Sequence, residues 1–161
     1  MGVSMKMAVN TPGNRALRRG RVSIDNQIYL ITFATFKRQK IFYDNYLAAN
    51  AFCAALNHEA LWKNSKLLCW VLMPDHVHLL VQLGEGETLA KLMERLKSNT
   101  SRSINLKLQR TGALWQCAYH DRALGSDEDV ESIARYIVRN PIRAGIVSKL
   151  GSYPYWNAIW I

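Results

Sequence analysis

The stretch Met73-Pro74-Asp75-His76-Val77-His78-Leu79-Leu80-Val81 constrains the fold of this chain more than any other. Lys66–Met73 before it is a continuous apolar run, and His76 to about Leu83 after it is rich in β-branched and aliphatic residues. Pro74-Asp75 between them carries turn chemistry, so the segment predicts a tight antiparallel hairpin. The period of two in a strand then places His76 and His78 on one face, about 7 Å apart along the backbone. Val77, Leu79, Val81 and Leu83 point to the other face as a core stripe. Two neutral imidazoles side by side can close on one divalent cation. Alone, the same spacing also fits one packed and one exposed histidine.

The remaining segments alternate strand and helix patterns around that hairpin. Gln27–Phe36 is β-branched and aromatic, apolar on both faces, and predicts a central strand. Asp44 to about Leu61 is helical in pattern, with Leu47, Ala51, Ala54, Ala55 and His58 at helical spacing. From Glu87 to about Leu108 a second helix is expected, with Leu89, Leu92, Met93, Leu96 and Ile104 as its buried stripe. Trp115–Leu124 reads as a last strand. Ser126, with Asp129 three residues on, resembles a capping box and starts a helix that should end near Asn140, before Pro141. Gly145 marks a further turn, and the aromatic tail Tyr153–Ile161 is expected to pack on the body. The order β-α-β-β-α-β with an appended helix is the α+β, ferredoxin-like (RRM-like) arrangement with an antiparallel sheet. Its first and third strands are central, so both imidazoles should sit mid-sheet, opposite the two long helices. The appended helix is then the element able to approach them. Residues 1–26 read as a flexible basic arm and 27–161 as a single domain.

Charge narrows the partner. The 161 residues hold 21 Lys and Arg against 12 Asp and Glu, a net charge of +9. Such an excess suits a polyanion. Arg15, Arg18, Arg19 and Arg21 of the arm could follow phosphates or enter a groove, or could form a solvated tail. Lys37 and Arg38 in the turn after the first strand, Arg95 on the second helix and Arg139 on the appended one are further candidate DNA contacts. Cys53, Cys69 and Cys117 are odd in number, far apart and in apolar surroundings, which predicts reduced core thiols rather than a disulfide framework. No signal-like or membrane-spanning run is present, so an intracellular, cytoplasmic protein without a membrane partner is expected.

The appended helix carries Ala134-Arg135-Tyr136-Ile137-Val138-Arg139-Asn140-Pro141-Ile142-Arg143-Ala144-Gly145. Tyr136 and Asn140 are four residues apart and would share one helix face. A phenol and an amide oxygen placed there complement a histidine pair on the sheet. On its own, Tyr136 reads as a packing residue.

Taken together, MPDHVHLL (73–80), Leu114-Trp115-Gln116 and YIVRNPIRAG (136–145) resemble the REP-associated tyrosine transposases, members of the HUH single-strand endonucleases. The resemblance spans roughly residues 20 to 150. It implies His76 and His78 as metal ligands, Tyr136 as the nucleophile and Asn140 as a third polar ligand, while Asp75 is given only a turn role. His120 and Asp121 lie after the fourth strand, from where one could approach the site, and neither is assigned to it. It implies Mg²⁺ or Mn²⁺, cleavage of single-stranded DNA beside palindromic REP hairpins through a 5′-phosphotyrosine, and rejoining by a 3′-hydroxyl. It implies a bacterial, nucleoid-associated protein with no obligate protein partner, a self-contained monomer, with a helix-swapped dimer as the alternative. Two other readings compete: a non-catalytic hairpin or single-strand binding module, and a metal phosphoesterase that activates water.

Overall fold

The computed structural model describes residues 22–161. The arm arginines Arg15, Arg18, Arg19 and Arg21 lie outside the described residues. Five antiparallel strands form one sheet in the order β4-β1-β3-β2-β5. They are β1 (Ile28–Ala34), β2 (Lys66–Leu72), β3 (His76–Gln82), β4 (His120–Ala123) and β5 (Trp156–Ala158). Helices α1 (Tyr46–Leu56) and α2 (Leu89–Lys107) cover one face, and α3 (Val130–Val138) with the short α4 (Asn140–Arg143) serves the other. The ferredoxin-like order of the first four strands is present, with β1 and β3 at the centre.

Strand alternation divides the core in two. Tyr29, Ile31 and Phe33 of β1 and Val77, Leu79 and Val81 of β3 are buried with Phe52, Leu56, Leu92, Met93 and Leu96 from α1 and α2. Their neighbours in the strands point the other way, where Val71, Met73 and Leu80 are buried against Ala134, Ile137 and Val138 of α3. Each fully buried aliphatic side chain contributes roughly 1.5–3 kcal/mol, so both layers hold the sheet firmly. His78 belongs to the α3 face.

Several boundaries differ from the sequence reading, each for a local reason. α1 stops at Leu56, and His58 stands outside it, starting a short 3₁₀ turn. The last long strand shrinks to His120–Ala123, with Trp115 bridged separately to Thr35. Between them, the carbonyls of Gln116, Cys117 and Ala118 accept from Lys97 Nζ rather than from a ladder partner. The cap of α3 is Asp129 rather than Ser126: its carboxylate accepts from the Glu131 and Ser132 amides at 3.1 and 3.3 Å. The tail does more than pack, since Trp156–Ala158 pairs with β2 as a fifth strand and covers what would be an open edge. Of the cysteines, Cys69 is buried and Cys53 half-buried, but Cys117 is exposed, against the expectation of a core thiol. Among the described residues, no helix is long and apolar enough to cross a membrane.

A histidine pair beneath a tyrosine helix

The turn that starts β3 is fixed from several sides. The Asp75 carbonyl accepts from both the amide (2.9 Å) and the hydroxyl (3.1 Å) of buried Thr35 at the end of β1. The Met73 amide donates to the His76 carbonyl at 2.8 Å, closing the hairpin. His76 and His78 therefore leave a rigid strand on the same face, with ring centroids 4.9 Å apart and planes at 89°.

Each imidazole is held by its Nδ1. His76 Nδ1 lies 2.6 Å from Asp75 Oδ1, and Arg38 Nε lies 3.1 Å from Asp75 Oδ2. A carboxylate can only accept, so it keeps the His76 proton on Nδ1 and leaves the lone pair on Nε2. His78 Nδ1 is 2.8 Å from Thr32 Oγ1 on the neighbouring β1. When that nitrogen donates to the hydroxyl, His78 too presents its Nε2 lone pair. Such partners orient histidines for a metal, so the residues present fit a divalent cation. Among the described residues no group of three or more His, Cys, Asp or Glu is assembled in one place.

Electrostatics keep both rings neutral. Burial pushes the His78 imidazole down to about 3, with the charges of His76, Arg143 and Arg38 acting in the same direction. His76 is lowered by burial as well, and the adjacent Asp75 carboxylate partly opposes this. Neutral imidazole is the form that ligates a cation.

Asp75 thus does more than turn the chain, and Arg38 is aimed at it. Lys37 and Arg38 occupy the left-handed region in succession, with φ of 55° and 56°. That conformation is costly for non-glycine residues, by roughly 1–3 kcal/mol each. It folds the turn back so that Arg38 meets the Asp75 carboxylate. Lys37 stacks its ammonium 5.4 Å from the Phe36 ring and stays exposed.

On the tyrosine side, α3 ends at Val138, two residues short of what a single Tyr136–Asn140 helix requires. Arg139 adopts φ −81°, ψ 3°, and Asn140 opens α4 with Pro141 behind it. Tyr136 and Asn140 are consequently on two successive helices, α3 and α4. They are joined by Arg143, which the sequence reading did not single out. Its Nη1 donates to the Tyr136 carbonyl and its Nη2 to Asn140 Oδ1, each at 2.6 Å. Its guanidinium also lies over the Tyr136 ring, 3.7 Å from the centroid. Ala134, Ile137 and Val138 face the sheet, whereas Tyr136 is 52% exposed. Gly145, at φ +70°, closes α4 with its amide on the Ile142 carbonyl.

The remaining candidates separate clearly. Arg139 is exposed at the end of α3. Arg95 turns inward: it donates to the Leu61 carbonyl and pairs with both oxygens of buried Glu87, at 3.1 and 2.8 Å. A buried carboxylate needs that partner, so the guanidinium is committed to the fold. His120 and Asp121 lie within β4 rather than after it, and exposed His120 is paired with Thr32 on the His78 face. A cleft of about 730 Å³ opens on the opposite face between β1, β4 and α2, lined by Tyr29, Leu89, Met93 and Tyr119. It contains none of the histidine pair, Tyr136 or Asn140.

A ferredoxin-like sheet thus carries a supported histidine pair on its central strand and a tyrosine on the helix that packs across the same face. Residues 23–140 match the family of IS200-like transposases, and the chain belongs to that family. It is 25% identical over 138 residues to a protein of Haemophilus influenzae named for the REP-associated tyrosine transposases, covering 80% of this chain and 77% of the relative. The REP-associated tyrosine transposase of Escherichia coli K12 is 25% identical over 87 residues, 53% of this chain and 50% of that protein. Among solved structures, a REP-associated tyrosine transposase bound to a REP hairpin superposes with a TM-score of 0.64 at 18% identity, covering 84% of this chain and 79% of the other.

Proposed function

We propose that this transposase cleaves and rejoins single-stranded DNA beside a REP-type hairpin through a covalent bond to Tyr136. The observation that carries the reading is the support of both imidazoles at Nδ1, by Asp75 and by Thr32, on one face of a rigid strand. With Nδ1 of each ring protonated, two adjacent Nε2 lone pairs are free to ligate. His76 and His78 would hold Mg²⁺ or Mn²⁺, with the Asn140 amide oxygen as the third donor. Mn²⁺ accepts imidazole more readily than Mg²⁺ does. When bound, the ion polarises a phosphate oxygen as a Lewis acid.

The chain's own part is nucleophilic. The Tyr136 oxygen attacks a backbone phosphorus, the phosphorus–O3′ bond breaks, and the phenolic proton is lost while the leaving 3′ oxygen gains one. The 5′ phosphate is then linked to Tyr136. A 3′-hydroxyl can reverse the attack because the phosphotyrosine keeps the energy of the broken diester. Exposure of Tyr136 leaves room for a strand to approach. Lys37, Arg38 and Arg139 would contact phosphates around the site, and the arm arginines Arg15, Arg18, Arg19 and Arg21 the hairpin. The structural relative solved on a REP hairpin supports the choice of substrate.

The test is denaturing electrophoresis of the full chain after incubation with labelled single-stranded REP DNA and Mn²⁺. A covalent band is expected with the wild type and none with Tyr136→Phe, which keeps the ring. Persistence of the band in Tyr136→Phe would sink the assignment. A free 5′-phosphate without any band would point to water activation, and binding without cleavage to a binding module.

A further inference from the structure

The histidine face of the sheet carries a third imidazole. Thr32 on β1 is the direct partner of His78 on one side and of His120 on the other, so the three form one row across β3, β1 and β4. Directly paired residues project from the same face, which puts His120 on the side of His76 and His78. Two strand spacings separate it from His78, roughly 10 Å between backbones. Burial falls along the row, since His78 is buried, Thr32 half-buried and His120 exposed. Thr32 between the two imidazoles is short, and its hydroxyl is turned to His78 Nδ1.

Tyr136 comes from the other flank. In the order β4-β1-β3-β2-β5 the histidine strand has β2 on one side and β1 with β4 on the other. Helix α3 is fastened over β2, where the buried Cys69 thiol donates to the Ala134 carbonyl at 3.7 Å and Val71 packs with Ala134, Ile137 and Val138. The imidazoles of β3 thus lie between the tyrosine helix and His120. Phosphoryl transfer has its attacking and leaving oxygens on opposite sides of phosphorus, roughly in line. With a phosphate at the histidine pair and Tyr136 attacking from the β2 flank, O3′ leaves towards β1 and β4.

That oxygen needs a proton as it departs. The strand residues of β1 and β4 on this face are Leu30, Thr32, Ala34, His120 and Arg122. Arg122 is tied to both oxygens of Glu128, at 2.7 and 2.8 Å, and a guanidinium does not release its proton. Of the five, only the imidazole both gives and takes a proton near neutral pH.

We propose that His120 is the general acid of strand cleavage and the general base of rejoining. This rests on the Tyr136 reading above and adds the group that serves the 3′ oxygen. In cleavage, the Tyr136 oxygen bonds to phosphorus as the phosphorus–O3′ bond breaks. The electron pair of that bond goes to O3′, which takes a proton from the His120 imidazolium, while the phenolic proton passes to solvent. In rejoining, neutral His120 takes the proton of the 3′-hydroxyl as its oxygen attacks the phosphotyrosine, and the departing phenolate is protonated from solvent. One cycle returns His120 to its starting form.

The experiment compares the full chain as wild type, His120→Gln and Tyr136→Phe, with Mn²⁺, on two single-stranded REP substrates. One is ordinary DNA, and the other carries sulfur in place of the bridging 3′ oxygen at the phosphate that the wild type cleaves. A thiolate leaves without being protonated, so the sulfur substrate has no use for an acid. On ordinary DNA, His120→Gln should form the covalent adduct about 10²–10⁴-fold more slowly than the wild type. On the sulfur substrate the two should react at the same rate. Oligonucleotide affinity by anisotropy and Mn²⁺ affinity by calorimetry should be the same in both proteins.

Equal rates on ordinary DNA overturn the proposal. A loss that sulfur fails to rescue, or one that follows weaker DNA or Mn²⁺ binding, overturns it too and makes His120 a phosphate contact or a structural residue. His120→Ala replaces His120→Gln should that variant unfold, under the same criteria. An adduct in the wild type, none in Tyr136→Phe and indifference to His120 would remove this proposal alone. Absence of an adduct in the wild type, or its persistence in Tyr136→Phe, would remove the Tyr136 reading and this proposal with it.

Discussion

The hydroxyl of Thr32 lies 2.8 Å from Nδ1 of His78 and joins two adjacent central strands at the site. The pair is shielded, since His78 is only 6% exposed. Thr32→Val keeps the shape and removes the partner. It should destabilise the chain by about 1–3 kcal/mol, because a buried ring nitrogen is left without its hydrogen bond. Mn²⁺ affinity should fall by roughly 10–100-fold, as it does when the support behind a metal ligand is removed. Denaturant titration and calorimetry on the same variant check both figures.

Asp75→Ala separates the turn from the carboxylate. The turn is held through the Asp75 backbone carbonyl by Thr35, and this hydrogen bonding survives the substitution. The His76 and Arg38 interactions, which use the side chain, do not. Mn²⁺ affinity is expected to drop about tenfold or more while the fold persists. Unchanged metal affinity would return Asp75 to a turn role alone.

Acid should destabilise the metal-free protein before its carboxylates titrate. Folded His78 takes up a proton only near pH 3, whereas its ordinary value is 6.5. The unfolded chain therefore binds more protons between those values. The stability contributed by neutral His78 is complete above 6.5 and is lost as pH falls through the window towards 3. The loss is on the order of a few kcal/mol, with His76 adding in the same direction. Glu128 and Asp129 are held below their ordinary 4.5 and 3.8, chiefly by the hydrogen bonds they accept from Arg122 and from Ser132. Denaturant midpoints compared at about pH 7 and about pH 5 isolate the histidines. His78→Gln should flatten the slope.

Removing residues 1–21 takes away Arg15, Arg18, Arg19, Arg21 and Lys6. If these side chains neutralise hairpin phosphates, affinity should fall. The slope of log affinity against log salt should also flatten, by about 0.7–0.9 for each phosphate the arm no longer neutralises. Filter binding of a labelled REP hairpin across a salt series measures both. An unchanged affinity and slope would make the arm a solvated tail.

The strand pattern around 66–83, the apolar periods of α1 and α2 and the order of elements were legible in the sequence because they follow from local alternation and burial. So was the shared face of His76 and His78, which needs nothing beyond the pleat of one strand. The partners of those rings were not. Thr32 is 46 residues from His78, and only the register of β1 on β3 brings its hydroxyl there. Asp75 is adjacent to His76, yet its carboxylate matters because the left-handed turn at Lys37 and Arg38 sends a guanidinium back to it. Arg95 looked like one more outward cation, and its pairing with Glu87 and Leu61 depends on how α2 meets the loop after α1.

The sequence by itself determined which residue types could do chemistry and which secondary structures carry them, since periodicity and turn chemistry act over a few residues. Tertiary structure decided what each of those residues is bound to. The histidine pair and the tyrosine helix show the difference most plainly. Even the break after Val138 is local, since Pro141 lacks an amide and crowds the carbonyl four residues before it. That α3 lies across the histidine face is tertiary: it depends on Ala134, Ile137 and Val138 being buried against residues of β2 and β3, such as Val71 and Leu80, that are distant in the chain.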